Sequence, residues 1–365
     1  MIIEVKSKHD LKQFIYFIEE LYRDHSHYIF PIFSSLRKEL SSLVLKKKSY
    51  KAILSTKDDN ILGRLLYTID FSKKLNRNIC FFSAFDAIDD DSVAKELFSY
   101  MEQDVLKQNI DYCEGTYSPY DPDTRRGIMV EGFDDDPAIL TSYNAPYYSR
   151  LLEICGYHKV YDTFGLKADI NPQVQKRLET IEQYFSNHYD IRIDQLDLKH
   201  IDNEIKDIHQ ILLTSTTEIN YQEAPSIEMI EQVAKKLKSL INPKLIRIAR
   251  ENDTNKAVGF CLVFPDFNQI FKKTKGRIKP LVILTQMRKI TRVRGMMQYV
   301  IPKYQNTGLI GYMYKKVYDN FKWMGITEFE GGTVMEDNLK SIHAFDKFGG
   351  RIAKTYRIYG KELNS

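Results

Sequence analysis

Val300-Ile301-Pro302-Lys303-Tyr304-Gln305-Asn306-Thr307-Gly308-Leu309-Ile310-Gly311 is the stretch on which the reading of this chain turns. Before it, RGMMQYVIP (294–302) reads as a strand. After it, Thr307 to Met324 carries Leu309, Met313, Val317 and Phe321 at four-residue steps, the period of a helix with one buried face. Between the two lies a polar loop containing Gly308. The first amides of a helix have no partner within it and carry partial positive charge, so a strand–loop–helix turn of this kind suits a phosphate or diphosphate. Gly308 lets the main chain approach such a group closely. Taken alone, the stretch is better explained as an ordinary strand-to-helix turn capped by Asn306 or Thr307.

Working outward, two halves repeat one order of elements. The first opens with IIEV (2–5) and a helix from Asp10 to Tyr22 that puts Leu11, Phe14, Ile15, Ile18 and Leu21 on one face. Three strand-like segments follow, YKAILST (50–56), ILGRLLYTID (61–70) and NICFFSAFDAI (78–88), with Lys57-Asp58-Asp59-Asn60 as a hairpin turn. A helix starts near Asp90 or Asp91, either of which suits an N-cap, and repeats Val93, Leu97, Met101 and Val105. A strand (DYCEGTY), a long loop from Ser118 to Tyr148, a helix and the strand KVYDTFGLKA complete it. The second half repeats strand, helices, antiparallel strands, helix, strand, helix and strand, ending in RIAKTYRIYGKEL. The pattern predicts an α/β chain with α+β mixed sheets, in two similar domains, 1–170 and 171–365, joined at Asn171-Pro172.

Composition narrows the class. In 365 residues, 43% hydrophobic content supplies a sizeable core and argues against disorder. The four cysteines are widely spaced without a CxxC, which argues against a disulfide scaffold or a zinc site and fits a reducing, cytoplasmic setting. No apolar run reaches the length of a membrane span, and the N-terminus lacks a signal-peptide pattern, so no membrane partner is expected. Scattered histidines without HExxH predict no metal, and neither a P-loop nor a GxSxG elbow is present. Net charge is only +4; Lys272, Lys273, Lys275, Arg277 and Lys279, then Arg288, Lys289, Arg292 and Arg294, form the densest basic region, and its first group reads as a solvated loop. A nucleic-acid partner is not expected.

The cradle loop resembles that of the GNAT superfamily of acyl-CoA-dependent N-acyltransferases, whose Gln/Arg-x-x-Gly-x-Gly/Ala loop holds the diphosphate of coenzyme A. Gln305 and Gly308 match; Ile310 stands where the second small residue belongs, with Gly311 one place later. Asn338, a helix from Leu339 to Phe348 and Gly349-Gly350 resemble the second GNAT signature, with Phe345 where a tyrosine acid is usual. The whole chain is similar to a bacterial family of two tandem GNAT-like domains, on Gly132-Phe133, Tyr143-Asn144-Ala145-Pro146-Tyr147-Tyr148, Pro265-Asp266-Phe267-Asn268-Gln269, Glu336-Asp337-Asn338 and Lys354-Thr355-Tyr356-Arg357-Ile358-Tyr359. The resemblance implies acetyl-CoA or another acyl-CoA as co-substrate, gripped by Val300, Ile301, Gln305, Asn306, Thr307, Gly308, Leu309, Ile310, Gly311 and Asn338. In the first half Asp89-Asp90-Asp91 occupies the equivalent turn and repels a diphosphate, so that half is expected to shape the acceptor pocket.

Acyl transfer to an amine needs a base, for which Glu330 and Glu336 are the candidates. With Phe345 unable to donate a proton, Tyr356, Tyr359, His343 or water is left as the acid. The long loop, with Tyr120, Asp121, Asp123, Arg125, Arg126, Glu131 and Asp134 to Asp136, and then Tyr143, Asn144, Tyr147 and Tyr148, is expected to line an acceptor pocket together with Asp266 and Asn268. The leading expectation is an N-acyltransferase, acting on a small-molecule or peptide amine by direct attack in a ternary complex. The alternatives are a non-catalytic module that binds acyl-CoA or another small ligand, and a transferase whose acyl donor is an aminoacyl-tRNA or a carrier protein.

Overall fold

A computed structural model describes residues 1–117, 125–215, 226–237 and 241–363. The first half contains β1 (Ile2–Glu4), α1 (Lys8–Leu21), α2 (Phe33–Leu40), β2 (Lys51–Lys57), β3 (Asn60–Ser72), β4 (Arg77–Ala87), α3 (Asp91–Leu106), β5 (Tyr112–Gly115), β6 (Ile128–Glu131), α4 (Tyr148–Glu153) and β7 (His158–Asp169). The second contains α5 (Pro172–His188), β8 (Ile191–Gln195), α6 (Ile201–Ser215), α7 (Ile227–Leu237), β9 (Ile246–Glu251), β10 (Ala257–Pro265), α8 (Asn268–Thr274), α9 (Pro280–Gln286), β11 (Arg292–Val300), α10 (Leu309–Tyr318), α11 (Phe321–Met324), β12 (Glu328–Met335), α12 (Leu339–Asp346) and β13 (Arg351–Glu362).

Local chemistry accounts for the element ends. Ser7 and Asp10 form a reciprocal capping box on α1. Asp90 caps α3, and Asn171 with Pro172 starts α5. Asp58 and Asp59 take the positive φ values that a tight two-residue hairpin between β2 and β3 demands.

The strands form one mixed sheet in the order β1-β2-β3-β4-β5-β13-β7-β12-β11-β10-β9-β8, with β6 pairing β13. The two domains expected from the repeat therefore do not have separate sheets. The last strand of each half crosses into the other. β13 pairs β5 (Tyr359↔Gly115) and β7 pairs β12 (Glu330↔Lys167). Ion pairs line the exchanged strands: Arg357 of β13 binds Asp162 of β7 at 2.8 Å, and Lys167 of β7 binds Glu328 of β12 at 2.8 Å. Each half keeps its own core, and Tyr359 and Leu363 from the end of the chain are buried in the first.

Candidate functional site

Both halves open a wedge in the sheet by the same device. In the second, β11 and β12 pair in parallel from Arg292↔Glu328 to Gly295↔Gly331 and then part. β11 stays with β10 and carries an extra residue, Met296, opposite the step from Leu262 to Val263. β12 stays with β7. Such a bulge bends a strand and ends pairing on its other edge. Past Gly295 that edge of β11 has no strand partner among the described residues. Glycine is needed at the apex: a Cβ on Gly332 would lie 2.8 Å from the Gly295 carbonyl, and one on Gly331 would lie 2.9 Å from the Phe345 ring.

The cradle loop closes one end of the wedge. Pro302–Tyr304 forms a single 3-10 turn. Asn306 (φ 60°) and Gly308 (φ 97°) are left-handed, and α10 begins after Gly308 with no side-chain cap. The amides of Asn306, Thr307, Gly308, Ile310 and Gly311 make no hydrogen bond among the described residues, and that of Leu309 reaches Thr307 Oγ1 only at 3.4 Å. A row of unpaired N–H groups at a helix start fits a diphosphate. Ile310 is exposed and lies on the crevice wall. Gly311 serves packing, since a Cβ there would stand 3.0 Å from Ile181 of α5. Val300, Ile301 and Leu309 have buried side chains, so only their main chain is available. The Val300 carbonyl already accepts from Ser215 Oγ at 3.1 Å. Gln305 is exposed beside the loop, and Asn338 caps α12 by accepting from the Ser341 amide at 3.2 Å while facing the crevice.

Behind the apex lies a buried ion network assembled from both halves. Arg292 donates to Asp266 at 2.6 Å and lies 3.7 Å from Glu330. Lys354, from the exchanged strand β13, is fully buried between Glu330 at 3.3 Å and Asp135 of the long first-half loop at 2.8 Å. Lys167 bridges Asp135 at 3.1 Å and Glu328. Burial raises the Glu330 carboxyl above its ordinary value, against the pull of Lys354, Arg292 and Arg294. Burial likewise pushes Asp135 upward, but Lys354 and Lys167 outweigh it and hold that carboxyl well below the usual range. Glu330 Oε1 and the Tyr356 hydroxyl have no hydrogen-bond partner among the described residues; Glu330 Oε1 and the edge of the Tyr356 ring lie against Gly165.

Several residues expected at the site are placed elsewhere. Glu336 accepts from Lys159 at 2.6 Å and from the Asp162 amide at 3.0 Å; it stands six residues from Glu330, about 20 Å along the strand. Asp266 is saturated by Arg292 and the amides of Ile139 and Asn268, so it anchors the loop at Ile139 rather than facing a ligand. Asn144 clamps both main-chain groups of Met129. Tyr147 donates to the Ala87 carbonyl, and the Tyr148 hydroxyl accepts from the Ala87 amide; both seal the first half's wedge. Tyr359 is buried with its hydroxyl on Glu153, and Phe345 packs between Gly331 and Gly350. Tyr143 and Asn268 do face the cavity, although Asn268 also donates to the Pro137 carbonyl. Tyr120, Asp121 and Asp123 lie outside the described residues.

One side chain at the apex had no motif to signal it. Tyr314 of α10 projects into the crevice, where a Cβ on Gly295 would lie 3.1 Å from its hydroxyl, and it donates to Gln298. Burial holds this phenol protonated, well above its ordinary value.

The wedge opens into a cavity of about 2040 Å³ walled by both halves. One-ligand pockets occupy roughly 300–1,000 Å³, so this space is larger than a single small ligand fills. Ile205, Ile208 and Leu212 of α6 with Met229 and Ile230 of α7 give it an apolar branch. No group of side chains suited to a metal ion occurs among the described residues.

No family model matches the chain. It is 25% identical over 382 residues to the bacterial ceramide synthase of Caulobacter vibrioides, covering 99% of this chain and 97% of that protein. It is 24% identical over 377 residues to protein YghO of Escherichia coli, covering 98% and 94%. Among solved structures, a tandem GNAT protein from the clavulanic acid biosynthesis pathway superposes with a TM-score of 0.61 at 10% identity, over 100% of this chain and 99% of that one. A GCN5-related N-acetyltransferase from Sphaerobacter thermophilus gives 0.56 at 11% identity, over 100% and 96%. The wedge, the bulge and the open helix start thus belong to two GNAT folds in tandem, sharing one sheet through exchanged strands.

Proposed function

We propose that the protein is an N-acyltransferase that moves a long-chain acyl group from coenzyme A to an amine. The observation that carries this reading is the wedge between β11 and β12, with free amides at its cradle end and a large, partly apolar cavity beyond its apex. The amides of Asn306 to Gly311 hold the diphosphate, and the unpaired edge of β11 offers N–H groups to the thioester carbonyl, where negative charge develops. The amine nitrogen attacks that carbon, the C–N bond forms and the C–S bond breaks. Glu330, with one oxygen free and a carboxyl raised by burial, is the base for the proton on nitrogen, reached by a relay through the apex because the carboxyl itself lies behind the cavity wall. Tyr314, a phenol kept protonated at the apex, supplies the proton to the leaving thiolate in place of the tyrosine replaced by Phe345. Lys354 and Arg292 position Glu330.

Of the two donors left open by the sequence, acetyl-CoA and a longer acyl-CoA, the apolar branch favours the longer. The Caulobacter relative points the same way, ceramide being an N-acylated long-chain amino alcohol. The test is thiol release with acyl-CoA donors of two, eight and sixteen carbons against short and long-chain primary amines. Burial of each methylene stabilises by about 0.8 kcal/mol, so kcat/KM should rise more than tenfold from the two-carbon to the sixteen-carbon donor. Equal rates for all donors would contradict the chain-length reading, and no turnover with any amine would contradict the activity.

A further inference from the structure

No aspartate or glutamate stands between Asp266 and Asp319, and the densest run of lysine and arginine in that interval surrounds α8 and α9. On α9 Leu281 and Leu284 stand three residues apart, on one side of the helix, and are 78% and 70% exposed; Ile278 before it and Met287 after it are 57% and 45% exposed. The other side is apolar as well: Val282 and Ile283 pack on a small core of Ile139, Phe267, Ile270 and Ile290. A helix that is apolar on both sides has one face without a partner in the free chain. Its rim is cationic. Lys272 and Arg277 are paired with Asp136 and Glu19, whereas Lys273, Lys275, Lys279, Arg288 and Lys289 have no carboxylate within ion-pair distance among the described residues.

Topology gives the patch its orientation. β11 begins at Arg292, directly after this segment, and ends at the cradle, nine residues and about 30 Å away. Ile278 lies on the cavity wall, so the cavity reaches the base of the patch at the end remote from the cradle.

We propose that α8 and α9 dock the protein on an anionic bilayer: the lysines and arginines bind lipid headgroups, Ile278, Leu281, Leu284 and Met287 enter the acyl-chain boundary, and the cavity mouth faces the membrane while the cradle stays in water. Apolar residues ringed by lysine are the chemistry of such interfacial elements. A second copy of the chain is the poorer occupant, because a two-fold contact would set this cationic rim against itself. The membrane, excluded when only spanning segments were considered, returns as a surface partner; no helix among the described residues is long and apolar enough to cross one.

Flotation of the full chain with vesicles, without any acyl donor or amine, tests this independently of the acyltransferase reading. The protein should partition at least tenfold more onto phosphatidylglycerol-containing vesicles than onto pure phosphatidylcholine, and about 0.5 M salt should reverse most of the gain. Leu281→Asp with Leu284→Asp should abolish flotation with an unchanged thermal melt, both side chains being exposed. Lys275→Gln with Lys279→Gln and Lys289→Gln should abolish the preference for phosphatidylglycerol. Failure of the unaltered chain to float, or a double aspartate variant that floats as well as it does, overturns the proposal. So does a dimer in sedimentation that the aspartates dissociate without any vesicle binding.

Discussion

The two strand-to-helix turns of this molecule start from the same geometry and end in opposite chemistry. β4 and β5 part after Phe82↔Gly115 just as β11 and β12 part after Gly295↔Gly331, and β4 bulges at Ala84 as β11 does at Met296. Each wedge opens at a Glu-Gly pair, Glu114-Gly115 and Glu330-Gly331. The first is then filled by the protein itself. Asp90 caps α3, Asp89 and Asp91 hold Arg150 of α4, and Tyr148 and Tyr147 take the amide and carbonyl of Ala87. Tyr22, Asp86 and Arg64 complete a polar plug below. The second wedge has a glycine where the first has aspartates, and its amides stay free. A duplicated fold keeps the backbone that makes a site possible; the few side chains at the helix start decide whether the site is open.

The glutamates give the sharpest test of that difference. Glu330→Gln should lower kcat by about 10²–10⁴-fold with little change in acyl-CoA affinity. Glu114→Gln, at the corresponding place but held by the hydroxyls of Tyr112 and Tyr117, should change kcat by less than about threefold. Because burial raises Glu330 and the base works when deprotonated, the rate should climb with pH through a limb above the ordinary carboxylate range, and that limb should vanish in the glutamine variant. Equal losses from both substitutions would erase the distinction between the halves.

The helix starts come next. Gly308→Glu should weaken coenzyme A binding by more than about 100-fold, through like charge at the cradle and a side chain at φ 97°. Gly308→Ala isolates the backbone strain and should cost about tenfold. Arg150→Ala, which exposes the aspartates of the first half, should leave affinity unchanged. Calorimetric titration decides among these. Tyr314→Phe should reduce kcat by about 10–100-fold, most strongly with poor leaving thiols, because it removes proton donation and leaves packing in place.

The smallest effect concerns the seam between the halves. Asp135 titrates well below its unfolded value of about 4, so the stability it contributes is complete above that value and is lost as pH falls toward the folded one. Asp135→Asn should flatten the acid slope of the melting temperature. An unchanged slope would mean that the Lys354 and Lys167 pairs do not join the halves.

Much of this was legible in the sequence, for reasons that can be named. Hydrophobic period found α1, α3, α10 and the β2–β3–β4 meander, because each buries a single face. Asp89 to Asp91 announced the closed turn and Gly308 the open one. The strand exchange was not legible: β7 and β13 have strand patterns that suit either half, and the ion pairs that tie each to the opposite half, among them Lys167–Glu328 and Arg77–Glu362, join residues far apart in the sequence. Asp135 was expected only as a pocket-lining loop residue, and Lys354 and Arg292 escaped as site residues, because the three meet from distant segments. α8 and α9 escaped because each has only seven residues and no side-chain cap. Tyr314 read as one more residue on a helix.

Amide hydrogen exchange with and without a long-chain acyl-CoA tests the central claim most directly. The open cradle predicts slowed exchange across Asn306 to Gly311, with Ile88 to Val93 unchanged. Protection at the first-half turn, or at neither, would contradict it.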